Sequence, residues 1–522
     1  MECVIFRSIG LKKRWVVKLK SQLKVGALLS YVVLALQNLV GLIYTPFMLR
    51  MLGKSEYGLY SIAASIVAYL TILDFGFGNA IVRYTAKFRA EGKIEEQSKM
   101  FGMFFMLYCG VGFLALIIGG ILCYNAEYIF DASMTAMELS RTKVILALMV
   151  LNLSVTFPLG IFGSIITAYE QFVFQKVITI VRIVLNTLTM IFLLTIGYKA
   201  LALVVVTTVF NLLTLLSNFW YCKHYLKIKL KFGRFQWGFL KEVSVYSFWI
   251  FLNAIMDRVY WSTGQFVLGV WAGTAAVAVY AVAIQLENFY MSFSTAISGV
   301  FLPKVTAMTV NDSDRSLVSD LFIKTGRIQY CVLAFVLSGF IIFGRQFVEL
   351  WAGVGYENTY HIALLFFVPF TIPLIQNIGL VILQARNQMR FRSLLGFIAA
   401  FVSFGLQLPL AKFYGGVGCA LGVSIVLLLA QGLVMNVYYR VKQDIDIHRF
   451  WKEIIKMSVV PFIVMIGFHF IIDSFKLNSW ISLGLGIIVY MVVYFPLFFF
   501  FSMNEYEKKL LLTPIQKMLK KI

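Results

Sequence analysis

Residues 25–49, VGALLSYVVLALQNLVGLIYTPFML, and residues 57–82, YGLYSIAASIVAYLTILDFGFGNAIV, decide the fold. The first stretch has no charged residue in 25 and the second has one, Asp74, in 26. At about 1.5 Å of rise per residue, each is long enough to cross the roughly 30 Å of hydrocarbon in a bilayer. Inside hydrocarbon every backbone N–H and C=O needs a partner within the chain. Only helices and closed barrels supply one, and apolar runs this long and continuous are helices.

Further runs of this kind follow. Spans are expected near residues 25–49, 57–82, 100–123, 144–167, 177–197, 200–222, 243–270, 276–302, 328–350, 359–384, 393–413, 416–439, 455–473 and 479–501. Only Gly197–Tyr198–Lys199 divides the fifth from the sixth. The expected fold class is an all-α polytopic membrane protein with about 14 transmembrane helices. Composition agrees: 60% of the 522 residues are apolar and 13% charged, with mean hydropathy +0.85, against about half and a quarter in soluble chains.

A net charge of +22 invites a nucleic-acid partner, but the basic residues lie in short segments between apolar runs, so none is expected. With the N-terminus in the cytoplasm, 36 Lys and Arg fall on the cytoplasmic side and eight outside, with Arg182 and Arg258 within spans. That split follows the positive-inside rule and supports both the span count and cytoplasmic termini. The six cysteines are scattered and the four histidines far apart, so no disulfide framework, metal site or cofactor is expected. No cleavable signal pattern precedes the first span. No aqueous segment is long enough for a catalytic domain, the longest being about 20 residues, so no catalytic residues are expected.

An internal repeat relates residue n to residue n+220: Gly53 to Gly273, Tyr60 to Tyr280 and Ala63 to Ala283, with Gln37–Asn38 over Asp257–Arg258. Six spans per repeat is an even number, so the halves are parallel repeats about an axis along the membrane normal. The expected organisation is an N-terminal lobe (1–222), a basic cytoplasmic linker (223–242), a C-terminal lobe (243–440), and two further spans with a basic cytoplasmic tail (441–522).

Polar side chains in spans face the protein interior or a wet cavity. Span 5 carries Thr179, Arg182, Asn186 and Thr189; span 6 Thr207, Asn211, Thr214 and Asn218; span 8 Gln285, Asn288, Ser292 and Thr295, each on one helical face. Such stripes serve either interhelical hydrogen bonds or a hydrophilic central cavity. Asp257 and Arg258 lie about 21 Å along span 7, and Glu287 about 16 Å into span 8 from the other side. An Arg258–Glu287 pair is feasible, either self-neutralising or as a substrate or coupling-ion site. Arg182 is close enough to the cytoplasmic face to snorkel. Candidate cavity residues are therefore Arg258, Asp257, Glu287, Arg182, Asn38, Gln37 and Asn288. Asp74 lies in span 2, followed by Gly76 and Gly78, which allow close packing or bending. Pro369, Pro373, Gln376 and Asn377 mark a broken or kinked span 10.

The stretch LGKSEYGLYSIAASIVAYLTILDFGFGNAIVRYTAKFRAEGK (52–93) resembles the start of bacterial polysaccharide-repeat flippases of the O-antigen and capsule type. These belong to the multidrug/oligosaccharidyl-lipid/polysaccharide exporter superfamily. The motif corresponds to Gly53, Glu56, Tyr57, Gly58, Tyr60, Asp74, Gly76, Gly78, Asn79 and Arg83. YSFWIFLNAIMDRVYWSTGQFVLGVWAGTAAVAVYAVAIQL (246–286) resembles the start of the second lobe. The resemblance implies two pseudo-symmetric six-helix lobes around a central cavity plus two C-terminal helices. It further implies translocation of lipid-linked oligosaccharide on undecaprenyl pyrophosphate across the bacterial inner membrane, for lipopolysaccharide or exopolysaccharide synthesis. The implied partners are that substrate, membrane lipids, a coupling ion (H+ or Na+), a polysaccharide polymerase and a chain-length regulator. The second-lobe motif often carries an acidic residue near Gly264–Gln265, absent here, and Asp257, Arg258 and Glu287 sum to −1 rather than forming a cationic lumen. Two other functions compete: a multidrug or cation antiporter of the same superfamily, and a membrane-embedded polysaccharide polymerase or glycosyltransferase.

Overall fold

The structure, a computed structural model, describes the backbone of residues 2–233, 237–310, 315–386, 388–472 and 477–519. Of the basic residues counted above, Arg234, Lys476, Lys520 and Lys521 lie outside the described residues. So do the side chains of the N-terminal arm's basic residues, Lys304, Arg315 and Lys517.

Among the described residues the regular structure is helical. The helices are α1 (Glu2–Leu70), α2 (Phe77–Ala90), α3 (Ile94–Tyr124), α4 (Ala126–Phe130), α5 (Ala136–Ala168), α6 (Phe172–Thr195), α7 (Ala200–His224), α8 (Trp237–Trp271) and α9 (Gly273–Val310). Then come α10 (Arg315–Ala352), α11 (Glu357–Ile375), α12 (Asn377–Ala385), α13 (Arg390–Leu427), α14 (Met435–Lys442), α15 (Ile447–Ile472), α16 (Trp480–Phe501) and α17 (Glu505–Leu519). Eleven helical runs are long and apolar enough to cross a membrane among the described residues. The run Val25–Ala90 has 66 residues, about 100 Å if straight, three times the hydrocarbon thickness. It is broken at Gly53, with φ 73° and ψ 172°. The run Arg390–Lys442 is broken in the same way at Gly415, φ 56° and ψ −134°. Only glycine adopts such conformations readily. Counting both halves of each, and adding α8, gives fourteen spans.

The breaks also expose the repeat. Gly53 and its counterpart Gly273 both have left-handed φ, 73° and 79°. Gly197, between spans 5 and 6, has φ 99° and lies 218 residues before Gly415, between spans 11 and 12.

The chain forms two compact units, Met1–Arg258 with Gly269–Ala278, and Val259–Leu268 with Val279–Ile522. In the first, α5 is central: α1, α2, α3 and α7 pack on it, and α6 packs on α1 and α7. The linker docks here rather than hanging free. The Lys231 amide bonds the Ser98 carbonyl at 3.0 Å and its ammonium pairs with Glu95. Gly102 leaves room for this; a Cβ there would lie 2.2 Å from the Lys231 carbonyl oxygen. In the second unit, α10 packs on α11, α15 and α16, and α11 packs on α13. A core of Phe343, Met457, Leu483, Tyr490, Tyr494 and Phe498 binds α15 and α16 to α10.

Span 10 breaks where the sequence indicates. α11 ends at Ile375, Gln376 links, and α12 begins at Asn377. Side chains at the junction bond to one another. Gln376 donates to Asn436 Oδ1 at 2.7 Å, and Trp451 donates to the same oxygen at 3.0 Å. Asn436 in turn bonds the Gly432 carbonyl, 2.6 Å, in a π-helical stretch Leu428–Val434. Such stretches leave carbonyls in need of a donor.

Candidate functional site

The motif of residues 53–83 shapes the first unit. Glu56, 6% exposed, pairs with Arg141 of α5 and accepts a hydrogen bond from the Ala200 amide, 3.3 Å, at the first turn of α7. One carboxylate thus ties α1 to α5 and satisfies an orphan helix-start N–H. Tyr57 is buried and Tyr60 half-buried. Gly58 is a point of contact between backbones: a Cβ there would lie 2.0 Å from the Thr274 carbonyl oxygen. Span 2 is interrupted at Thr71–Asp74, a 3₁₀ turn, with Phe75 and Gly76 at φ 51° and 73° before α2 resumes. Asp74 Oδ1 accepts a 2.7 Å bond from the Tyr108 hydroxyl of α3. Gly76 supplies the bend, while Gly78 supplies close packing, with its side facing Ser164 of α5. Asn79 and Arg83 are exposed.

In the same unit Gln37 is exposed, and Asn38, Arg182 and Arg258 are half-buried. Asp257 is exposed. The polar stripe of span 6 is partly spent on helix packing: Asn211 donates to Asn152 Oδ1 and Thr156 Oγ1 of α5, both 2.8 Å.

The second unit separates two faces of α9. The stripe read from the sequence is the accessible one. Asn288 is exposed, and Asn288, Ser292 and Thr295 bond their own helix's carbonyls. Glu287 lies on a different face, at the spacing of Tyr290, Ser294 and Ser298, all buried. Tyr290 and Thr371 of α11 share a 2.7 Å bond, Ser294 donates to the Leu374 carbonyl at 2.7 Å, and Gln329 of α10 donates to Ser294 at 3.0 Å. The Tyr290 ring stacks on Phe367 at 4.5 Å. Glu287 itself is 0% exposed, and neither carboxylate oxygen has a hydrogen-bond partner among the described residues. Arg258 belongs to the first unit and Glu287 to the second, so their pairing is a feature of neither. Helical spacing alone could not separate the faces of α9, because Glu287 and Asn288 are neighbours in sequence.

Two ionic features escaped the sequence reading. Arg141 and Arg327 had counted only as topological charges, yet Arg141 serves Glu56 and Arg327 is 4% exposed inside a triad with Glu453 and Glu507. Their partners are remote in sequence, so no local pattern announced them. No group of His, Cys, Asp or Glu suited to a metal occurs among the described residues.

The profile of a family described as "Polysaccharide biosynthesis protein" matches residues 23–309, more than half of the sequence. A comparison of the sequence with curated proteins finds no match. Among solved structures, "Lipid II flippase MurJ, inward closed conformation" is similar with a TM-score of 0.67 at 16% identity, over 90% of this chain and 97% of that one. An inward-facing multidrug resistance MATE family transporter of the MOP superfamily gives 0.62 at 12%, over 80% of this chain and 96% of that one. A Vibrio cholerae MATE transporter gives 0.54 at 15%, over 82% and 99%. At these identities the likeness is one of fold: a MurJ- and MATE-like fold with about fourteen helices.

Proposed function

We propose, because the chain belongs to the polysaccharide biosynthesis protein family, that it carries lipid-linked oligosaccharide repeat units across the bacterial inner membrane by alternating access. The unit is an oligosaccharide on undecaprenyl pyrophosphate, moved from the cytoplasmic to the outer leaflet. The observation that carries this reading is the family match over residues 23–309 joined to a fold of about fourteen helices. Pyrophosphate and sugars cannot cross hydrocarbon unaided, whereas a cavity between spans lets the headgroup pass while the polyprenyl tail stays in lipid.

Arg258 is the candidate for the pyrophosphate, its planar fork matching phosphate oxygens. Asp257, Arg182, Gln37 and Asn38 of the first unit are accessible or half-buried and are further candidates for substrate contact, as is Asn288 on the second unit. Glu287 is the candidate for the coupling ion. A buried carboxylate with no hydrogen bond among the described residues is costly in hydrocarbon, so a proton or Na+ has reason to accompany it. A polymerase and a chain-length regulator would act on the delivered units.

Deleting the gene in its host and locating the lipid-linked oligosaccharide tests the reading. Complete units confined to the cytoplasmic face, with surface polysaccharide lost, is the expected result. Complete but unpolymerised units on the outer face would point to a polymerase instead. The likeness to MATE structures favours one further reading, a drug or cation antiporter; its mark would be unchanged oligosaccharide with altered drug sensitivity. Arg258→Ala is expected to abolish export while the protein remains inserted at wild-type levels, measured by surface polysaccharide and membrane immunoblot. Normal export would leave Arg258 a structural residue only.

A further inference from the structure

The α8–α9 hairpin is divided between the units: its tip, Gly269–Ala278, belongs to the first, while residues 259–268 and those from 279 onward belong to the second. The tip is held by polar bonds centred on one carboxylate. Glu138 closes a capping box at the start of α5: its Oε2 accepts the Thr135 amide and hydroxyl, both 3.0 Å. This fixes the side chain before it meets anything else. Its free Oε1 then accepts Thr274 of the tip at 3.0 Å and Ser55 at 2.5 Å. Ser133 adds a 2.6 Å bond to the Gly269 carbonyl.

The seat is shaped to receive bare backbone. A Cβ on Gly58 would strike the Thr274 carbonyl; one on Gly269 would meet Ile62 and Phe130 at 3.1–3.3 Å; one on Gly273 would meet the Ser133 carbonyl at 3.1 Å. Glycines on both sides thus let the tip approach closely. Ser55 and Thr135 are exposed and Glu138 and Ser133 half-buried, so on release water replaces each lost bond at small net cost. That combination of close fit and cheaply exchanged bonds suits a contact made and broken in every cycle.

We propose that Glu138 is a latch: it holds the 269–278 hairpin tip on the first unit, and release of Thr274 from it opens the protein toward the outer face. The assignment rests on the alternating-access reading and on cytoplasmic termini, which place the Gly53 and Gly273 junctions outside. It does not depend on what is carried.

The test leaves the capping box intact and uses a reporter beneath the tip. Ser61, 5% exposed, shares a helix face with Gly58 and Ile62. Ser61→Cys is introduced into the full chain lacking other cysteines. A membrane-impermeant maleimide is then applied to right-side-out and to inverted vesicles. Thr274→Val, which removes the hydroxyl and keeps the volume, is expected to speed labelling from the outer face about fivefold, the equivalent of one hydrogen bond, and adding Ser55→Ala to speed it further. Thr274→Ser, which restores the hydroxyl, is expected to label at the parental rate. Equal rates for Thr274→Val and its parent, faster labelling from the inner face instead, or Thr274→Ser behaving like Thr274→Val would each overturn the latch. Because labelling needs no polysaccharide, a latch that works in a protein whose deletion spares export would refute the substrate and not the latch.

Discussion

Arg327→Ala is expected to destabilise the protein by about 3–5 kcal/mol, the usual cost of removing one partner from a buried ion cluster. The guanidinium donates from Nε and Nη2 to the two oxygens of Glu507, 2.6 and 2.9 Å, from Nη1 to Glu453 at 2.7 Å, and from Nη2 to the Ser502 carbonyl at 3.1 Å. Glu507 is 3% exposed and also caps α17, accepting the Asn504 amide at 2.9 Å. One side chain on α10 therefore anchors α15 and the C-terminal helix. Without it, Glu507 loses both guanidinium bonds while remaining in a buried position. Thermal unfolding of the detergent-solubilised protein, followed by size-exclusion chromatography, measures the effect. The double variant Arg327→Met/Glu507→Leu is expected to regain most of the loss, since apolar groups of similar volume substitute well for buried ion pairs. Wild-type melting of Arg327→Ala would show that α17 is held by something else.

Glu287→Leu is expected to act in opposite directions on stability and function. The carboxylate is 0% exposed, on the buried face of α9 that carries Tyr290, Ser294 and Ser298, and has no hydrogen bond among the described residues. Leucine of similar size removes an unsatisfied polar group, worth about 1–3 kcal/mol. The variant is therefore expected to melt higher than the parent. If Glu287 carries the coupling ion, the same substitution reduces export to background, and Glu287→Gln, which keeps the shape and loses the ionisable group, reduces it equally. Export at the normal rate in both would make Glu287 a structural oddity and direct the search for the coupling ion to Asp74 and Asp257. A higher melting point with lost export is the signature of a residue retained for function at the expense of stability.

The span count was legible in the sequence because it depends on local chemistry. Uncharged runs of 25 residues and a hydrocarbon layer of fixed thickness leave little choice. The breaks were legible for the same reason. Gly53 and Gly273 could be aligned as equivalents before their φ angles were known, and Pro369, Pro373, Gln376 and Asn377 announced the interruption of span 10. Periodicity was less informative about direction. The stripe on α9 was correctly read as one face of a helix, yet nothing in the sequence said that this face is accessible while Glu287, one position before Asn288, turns into the packed side.

What the sequence determined by itself was the number of membrane crossings, the repeat and the family to which the chain belongs. The tertiary structure decided which polar groups meet: Asp74 with Tyr108, Glu56 with Arg141, Glu138 with Thr274, and Arg327 with Glu507 across 180 residues. The reason is physical. A helix satisfies its backbone from residues four apart, so its existence and length are written locally. A buried side chain is satisfied by whichever helix packs beside it, and that neighbour is set by the packing of the whole unit.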